Sequence, residues 1–290
     1  MMRAPIATRA PIATRAPIAT RVPIVALALV AALAGGCSAP EYGDGHLRCA
    51  TSGRACPDNF FCASDQHCWR LGSGPGDGGA AGPSLCAPGL ALLCDGFEAA
   101  ALDPQWTPDG ATLDTTRAYR GSSSVHLHTA AAGAGTDPSA DLRESRTFPI
   151  TGTAYVRLWT YFQSPFPPAF DQIINFLDTG SGGASFSIKN GFAVDNDYAG
   201  SGYAESTTVS VPLDRWTCLQ MQIGQRGATG DIRLFVDGQE AADAALTGTT
   251  TTPMRAVVLG PDFFGNPAIG AADVWIDEVI VDDKPTTCAE

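Results

Sequence analysis

Residues 184–197 read ASFSIKNGFAVDND. Two alternating runs flank Asn190-Gly191, a dipeptide that supplies the positive φ angles a two-residue hairpin turn requires. Residues 232–240, IRLFVDGQE, repeat the arrangement around Asp237-Gly238. Outward from these two hairpins, alternating runs recur between turn signals at 92–98, 123–129, 140–148, 154–162, 171–177, 206–211, 216–223, 255–260 and 273–282. From Cys86 onward no segment holds a helical period over three turns. A dozen short strands in roughly 200 residues predict a large all-β sandwich or barrel.

Composition agrees and narrows the function. The 290 residues include 32 Gly and 21 Pro, which favour turns over long helices. Hydrophobic residues make up 44%, enough for a globular core. Eighteen Lys and Arg stand against 30 Asp and Glu, a net charge of −12. Nucleic-acid binding needs a basic surface to displace counterions, so that class is excluded. Nine cysteines place the chain in an oxidising compartment.

The N-terminus reads as a targeting segment. RAPIAT occurs three times in residues 3–20, leaving Arg3, Arg9, Arg15 and Arg21 as a basic leader with prolines that forbid a continuous helix. Residues 22–36, VPIVALALVAALAGG, are apolar over the length of a signal h-region, too short for a membrane span. Leu33-Ala34-Gly35-Gly36-Cys37 resembles the lipobox of bacterial lipoproteins, with Ala34 where leucine is usual. The resemblance implies that residues 1–36 are removed and that Cys37 is acylated. The alternative is an ordinary secretory signal that leaves Cys37 as a free thiol. Lipidation leaves an even eight cysteines, and several acyl chains hold a protein durably at a membrane. Ser38, where aspartate would retain a lipoprotein at the inner membrane, implies the outer membrane of the cell envelope. Loss of the leader removes four arginines and no acid, leaving 14 basic and 30 acidic residues and a net charge of −16.

Residues 37–48 form a tether, and a small module follows at 49–70. Its Cys49, Cys56, Cys62 and Cys68 are separated by six, five and five residues. So short a segment cannot bury enough apolar surface to hold its own fold and needs staples. Zinc sites usually present ligands as knuckles closer than these, so disulfides are preferred; four cysteines allow three connectivities, of which the interlaced Cys49–Cys62 with Cys56–Cys68 is the one expected. The Gly-rich stretch 71–85 is a flexible linker; with no strand before it or helix after it, it is not a phosphate loop.

In residues 86–290 an ordered set of motifs supports a resemblance: Leu93-Cys94-Asp95-Gly96-Phe97-Glu98, Trp216-Thr217-Cys218-Leu219, Leu234-Phe235-Val236-Asp237-Gly238 and Val274-Trp275-Ile276-Asp277-Glu278-Val279. Together they resemble the concanavalin A-like jelly rolls, the laminin-G-like domains most closely. That resemblance implies first and last strands paired in one sheet, a curved second sheet whose concave face takes glycans, and one structural calcium near the terminal strands. Asp277, Asp95 and Glu98 are the residues onto which the calcium site carries over.

The strand Tyr155–Phe162 puts Val156, Leu158 and Phe162 on one face and Tyr155, Arg157, Trp159 and Tyr161 on the other. Rings stack on apolar sugar faces and charged groups bind hydroxyls, so the second face is a candidate glycan surface. Gln220 and Gln222 alternate likewise opposite Leu219, Met221 and Ile223. The competing reading is that these aromatics pack beneath neighbouring loops.

Enzymatic readings are weaker. The paired carboxylates of jelly-roll β-glucanases, in an E-x-D-x-E pattern, are absent. Leu142-Arg143-Glu144-Ser145-Arg146 and Gln172-Ile173-Ile174 resemble the R-x-E-x-R and Q-x-H segments of alginate and heparin lyases in outline. Ile174 stands at the histidine position and cannot exchange a proton. Tyr198 or Tyr203 could act as base. Arg143 and Gln172 join the candidate ligand set. His126 and His128 share a strand face, but no third metal ligand is identifiable. Cys86, Cys94, Cys218 and Cys288 form two bridges with three pairings open, among them a local Cys86–Cys94 with Cys218–Cys288 and, as paired first and last strands imply, one that joins Cys94 to Cys288. The expected protein is an outer-membrane lipoprotein whose jelly roll binds a glycan or extracellular matrix component without catalysis. A lyase or hydrolase of the same fold is the alternative, and a structural surface protein the second.

Overall fold

The computed structural model describes residues 47–48, 60–62, 67–70, 84–86, 89–180, 182–197, 202–225, 230–248, 252–264 and 268–288. The leader, Cys37 and most of the linker lie outside these. Among the described residues no helix is long and apolar enough to cross a membrane. The cysteine module contributes β1 (Leu47–Arg48), β2 (Phe60–Cys62) and β3 (His67–Arg70), a small antiparallel sheet in the order β1-β3-β2. Cys68 is buried and disulfide-bonded. The expected pairings of Cys49, Cys56 and Cys62 fall outside the described side chains.

The remaining strands are β4 (Leu93–Asp95), β5 (Trp106–Asp109), β6 (Ala111–Asp114), β7 (Ser124–Thr129), β8 (Asp141–Glu144), β9 (Thr153–Phe162), β10 (Phe170–Asp178), β11 (Gly183–Lys189), β12 (Phe192–Asp197), β13 (Gly202–Ser210), β14 (Trp216–Gly224), β15 (Asp231–Val236), β16 (Gln239–Glu240), β17 (Leu246–Thr247), β18 (Met254–Phe264) and β19 (Ala272–Asp282). They form two antiparallel sheets. One has seven strands in the order β13-β12-β11-β10-β18-β8-β5; the other has nine, with the path β16-β15-β14-β9-β19-β7-β6, β17 on β15 and β4 on β19. This is an all-β sandwich, as the alternation predicts, of the jelly-roll kind the resemblance implies, and its first and last strands, β4 and β19, pair. Both hairpins form on the expected dipeptides, with φ of 52° and 82° at Asn190-Gly191 and 50° and 78° at Asp237-Gly238. The bridges are Cys86–Cys94 and Cys218–Cys288, the local alternative.

One core lies between the sheets. Val156, Leu158 and Phe162 of β9 and Leu219, Met221 and Ile223 of β14 meet Ile174 and Phe176 of β10 and Leu259 of β18 in a single buried cluster. Each strand therefore turns its alternate residues outward. Chemistry is decided on those two outer faces.

Candidate functional site

The outer face of the nine-stranded sheet carries most of the expected glycan residues. β9, β14 and β19 pair so that Trp159 faces Cys218 and Asp277, and Tyr161 faces Trp216 and Trp275. This face is covered. The segment between β6 and β7 lays the Tyr119 ring on Trp159, with centroids 3.7 Å apart and planes within 12°. Arg117 places its guanidinium 3.8 Å from the Tyr161 ring centre and 3.9 Å from that of Trp275, between two aromatic faces. Tyr119, Tyr161, Trp216 and Trp275 are buried together, with Trp159 packed against them. The aromatics thus form a second small core, as the competing reading of the sequence had it.

Arg157 is also inside. It donates to the Glu278 backbone oxygen at 3.2 Å and is 5% exposed. Gln220 donates to the Thr286 carbonyl. Tyr155 and Gln222 line a cavity of about 350 Å³ beside Phe235 and Pro285. A second cavity, of about 610 Å³, opens between the β9–β10 segment and the residues before β19, against Phe166, Ile269 and Asp273.

The three carboxylates expected to hold calcium each meet separate N–H donors. Asp95 accepts from the Phe97 amide at 2.8 Å and from Trp106 Nε1 at 2.7 Å. Glu98 accepts from the Ser122 and Ser123 amides. Asp277 accepts from the amides of Tyr119 at 2.8 Å, Arg120 at 3.1 Å and Glu278 at 2.7 Å. Among the described residues no three His, Cys, Asp or Glu stand ready around a metal. The structure does not bring them together as a site.

Burial pushes the Asp277 carboxyl up to about 8, against those amide donors. Its pKa in the unfolded chain is about 3.9. Between about 4 and about 8 the folded protein therefore binds more protons than the unfolded chain. The resulting stabilisation is complete below about 4 and is lost as pH rises through about 8. Thermal melts across that window should fall with pH more steeply in the wild type than in Asp277→Asn. Equal slopes would contradict this.

The seven-stranded sheet presents a different outer face. On β10, Ile174 and Phe176 point into the core, so Asn175 points out, opposite Ser185 and Val258. A register shift lies between Gln172 and Ile174, and Ile173 and Ile174 are both core residues. Such a bulge turns two successive residues inward and keeps Gln172 and Asn175 on one face. Asn175 Nδ2 donates to Gln172 Oε1 at 2.9 Å. The outer place after Gln172 therefore belongs to Asn175 and not to Ile174, a correction to the sequence reading. The signal available for it was the break in alternation at Ile173-Ile174.

Two rows of outward residues cross this sheet. Thr107, Arg143, Val258, Asn175 and Ser185 follow one another across β5, β8, β18, β10 and β11. Asp262, Gln172, Ser187, Val194 and Glu205 cross from β18 to β13. Ser185 and Ser187 hydroxyls, 2.8 Å apart, link the rows. Glu144, between Arg143 and Ser145, turns inward and accepts the Arg146 and Thr147 amides.

Aromatic side chains close one end. Tyr203 on β13 comes within 6.1 Å of Phe170 on β10, and Phe170 within 6.3 Å of Phe264. Three strand spacings would separate β13 from β10 by roughly 14 Å, so Tyr203 leans across the face. Its hydroxyl meets Lys189 Nζ at 3.2 Å, and Lys189 pairs with Glu205 at 2.9 Å. Tyr203 and Phe264 remain exposed. Tyr198 lies outside the described residues.

The acids here resist ionisation. Burial, with Asp141 and Asp137 nearby, pushes Asp262 up to about 6. Burial and Asp109 raise Asp141 against the pull of Arg143.

No protein-family model and no curated protein matches the sequence. Among solved structures, the cellulose-induced protein Cip1 is similar at a TM-score of 0.57 and 18% identity, over 68% of this chain and 100% of that one. An alginate lyase of polysaccharide lyase family 7 aligns at 0.40 and 13% identity, over 55% of this chain and 77% of that one. The binding domain of botulinum neurotoxin DC, in complex with SialylT, aligns at 0.43 and 12%, over 63% and 44%. The first likeness is one of fold, the jelly-roll sandwich.

Proposed function

We propose that the jelly roll binds an extended glycan along the outer face of its seven-stranded sheet, displayed from a lipid anchor at Cys37 on the outer membrane. One observation carries the reading. The central strands β8, β10 and β18 bear Arg143, Asn175 and Asp262, each half-buried, around the buried Gln172 on the side away from the core, next to the aromatic group Phe170, Tyr203 and Phe264. A fixed polar row beside aromatic faces is how a protein holds a hydroxylated ring. The fold shared with a cellulose-induced protein is in keeping with a polysaccharide setting. The acids Asp141 and Asp262 and the overall negative charge favour neutral glycans over polyanions.

A second reading, eliminative cleavage of a uronate, is favoured by Tyr203. Its phenol is held by Lys189 on the same face as Arg143 and Asn175, as a base opposite groups that could neutralise a carboxylate. A glycan array followed by assay of each hit for unsaturated ends and new reducing ends tests both. Retention on neutral polysaccharides with no new ends is expected. Unsaturated products would establish the lyase, and an array without a hit would contradict glycan binding.

A further inference from the structure

His126 and His128, two residues apart on β7, point outward from the nine-stranded sheet, and β19 supplies the third group that the sequence did not reveal. Asp273 pairs directly opposite His128, and Trp275 opposite His126. Asp273 Oδ1 lies 2.8 Å from His126 Nε2 and 2.8 Å from His128 Nδ1. The side chains of the three are 26%, 52% and 28% exposed, so a solvated ion can reach them.

The set is also held in place. The His126 ring stacks on Trp275 at 4.4 Å with planes within 15°. Trp275 Nε1 in turn donates to Asp114 at 2.7 Å. Neighbouring antiparallel strands fix the three backbones relative to one another. Asp114 adds negative charge beside His126, while Arg117 over the far side of Trp275 opposes it.

We propose that His126, His128 and Asp273 bind a divalent transition-metal ion of the zinc, nickel or copper class, with water completing its shell. Two imidazoles and one carboxylate form a donor set that suits those ions. Calcium needs six to eight oxygens and finds one carboxylate here. Ligands bound at roughly 2.1 Å stand roughly 3.0 Å apart in an octahedral shell and roughly 3.4 Å apart in a tetrahedral one. The observed 2.8 Å separations are a few tenths of an ångström shorter. Both nitrogens are drawn onto the one oxygen by hydrogen bonds, and the group does not stand in ligating geometry. Side-chain rotations open it, and the proton each imidazole shares with the carboxylate passes to the ring's other nitrogen or to water as the ion takes its place.

Isothermal titration of the disulfide-intact chain with zinc chloride, nickel chloride and calcium chloride tests this. Zinc and nickel should bind with one equivalent at this site, calcium should give no comparable heat, and zinc should raise the melting temperature. His128→Ala and Asp273→Asn should each weaken zinc about ten-fold or more. His46→Ala with His67→Ala, at the two remaining histidines, should leave the site intact. If His126→Ala fails to fold for want of its contact with Trp275, His128→Gln at the exposed ring gives the same test. Zinc affinity unchanged in His128→Ala and His128→Gln, or no zinc binding by the wild type, would overturn the proposal.

Discussion

Trp159→Ala should cost about 2–3 kcal/mol of stability and leave glycan retention unchanged. Removing the indole from beneath Tyr119 takes away the 3.7 Å stack and opens the buried cluster that contains Trp216, which is 0% exposed. Tryptophan-to-alanine changes in full cores cost about 3–5 kcal/mol, and the partial exposure of Trp159 reduces that. In a domain of this size the loss corresponds to a melting point roughly 4–12 °C lower. Thermal denaturation measures it. A variant that melts like the wild type but no longer binds its glycan would return the site to β9.

Arg143→Ala combined with Asn175→Ala should weaken glycan binding about a hundred-fold while the melting temperature stays within a few degrees. Both residues point away from the sandwich core, and Arg143 and Asn175 flank Val258 in one row. Their removal leaves the core cluster untouched but takes away the charged and amide groups that would order sugar hydroxyls. Binding isotherms on the strongest array hit report the first quantity and calorimetric melts the second. Undiminished binding would exclude this face.

Much of the fold was legible in the sequence because each strand's inward set announces itself by alternation. Val156, Leu158 and Phe162 lie in the core as that pattern requires, and Asn190-Gly191 and Asp237-Gly238 reverse the chain where their backbone freedom allows it. β5 was hidden because it contains Pro108, which the ladder tolerates here because β5 is an edge strand.

The site was less legible for a physical reason. Alternation says which residues share a face, not what covers that face. The segment bearing Arg117 and Tyr119 reaches β9 through contacts remote in sequence, and it turns an apparent sugar platform into a small core. Likewise one extra residue at Ile173 exchanges Ile174 for Asn175 on the outer face, a shift of register that single-residue patterns do not announce. Asp273 became visible beside His126 and His128 only when β19 was laid against β7.

The most direct measurement of the central claim is a backbone chemical-shift titration of the labelled jelly roll with the best-retained glycan. Glycan binding on the seven-stranded sheet predicts saturable shifts at Arg143, Gln172, Asn175, Tyr203 and Asp262, with Tyr155, Trp159 and Gln222 unmoved. Shifts confined to Tyr155, Trp159 and Gln222, with β8 and β10 silent, would contradict it.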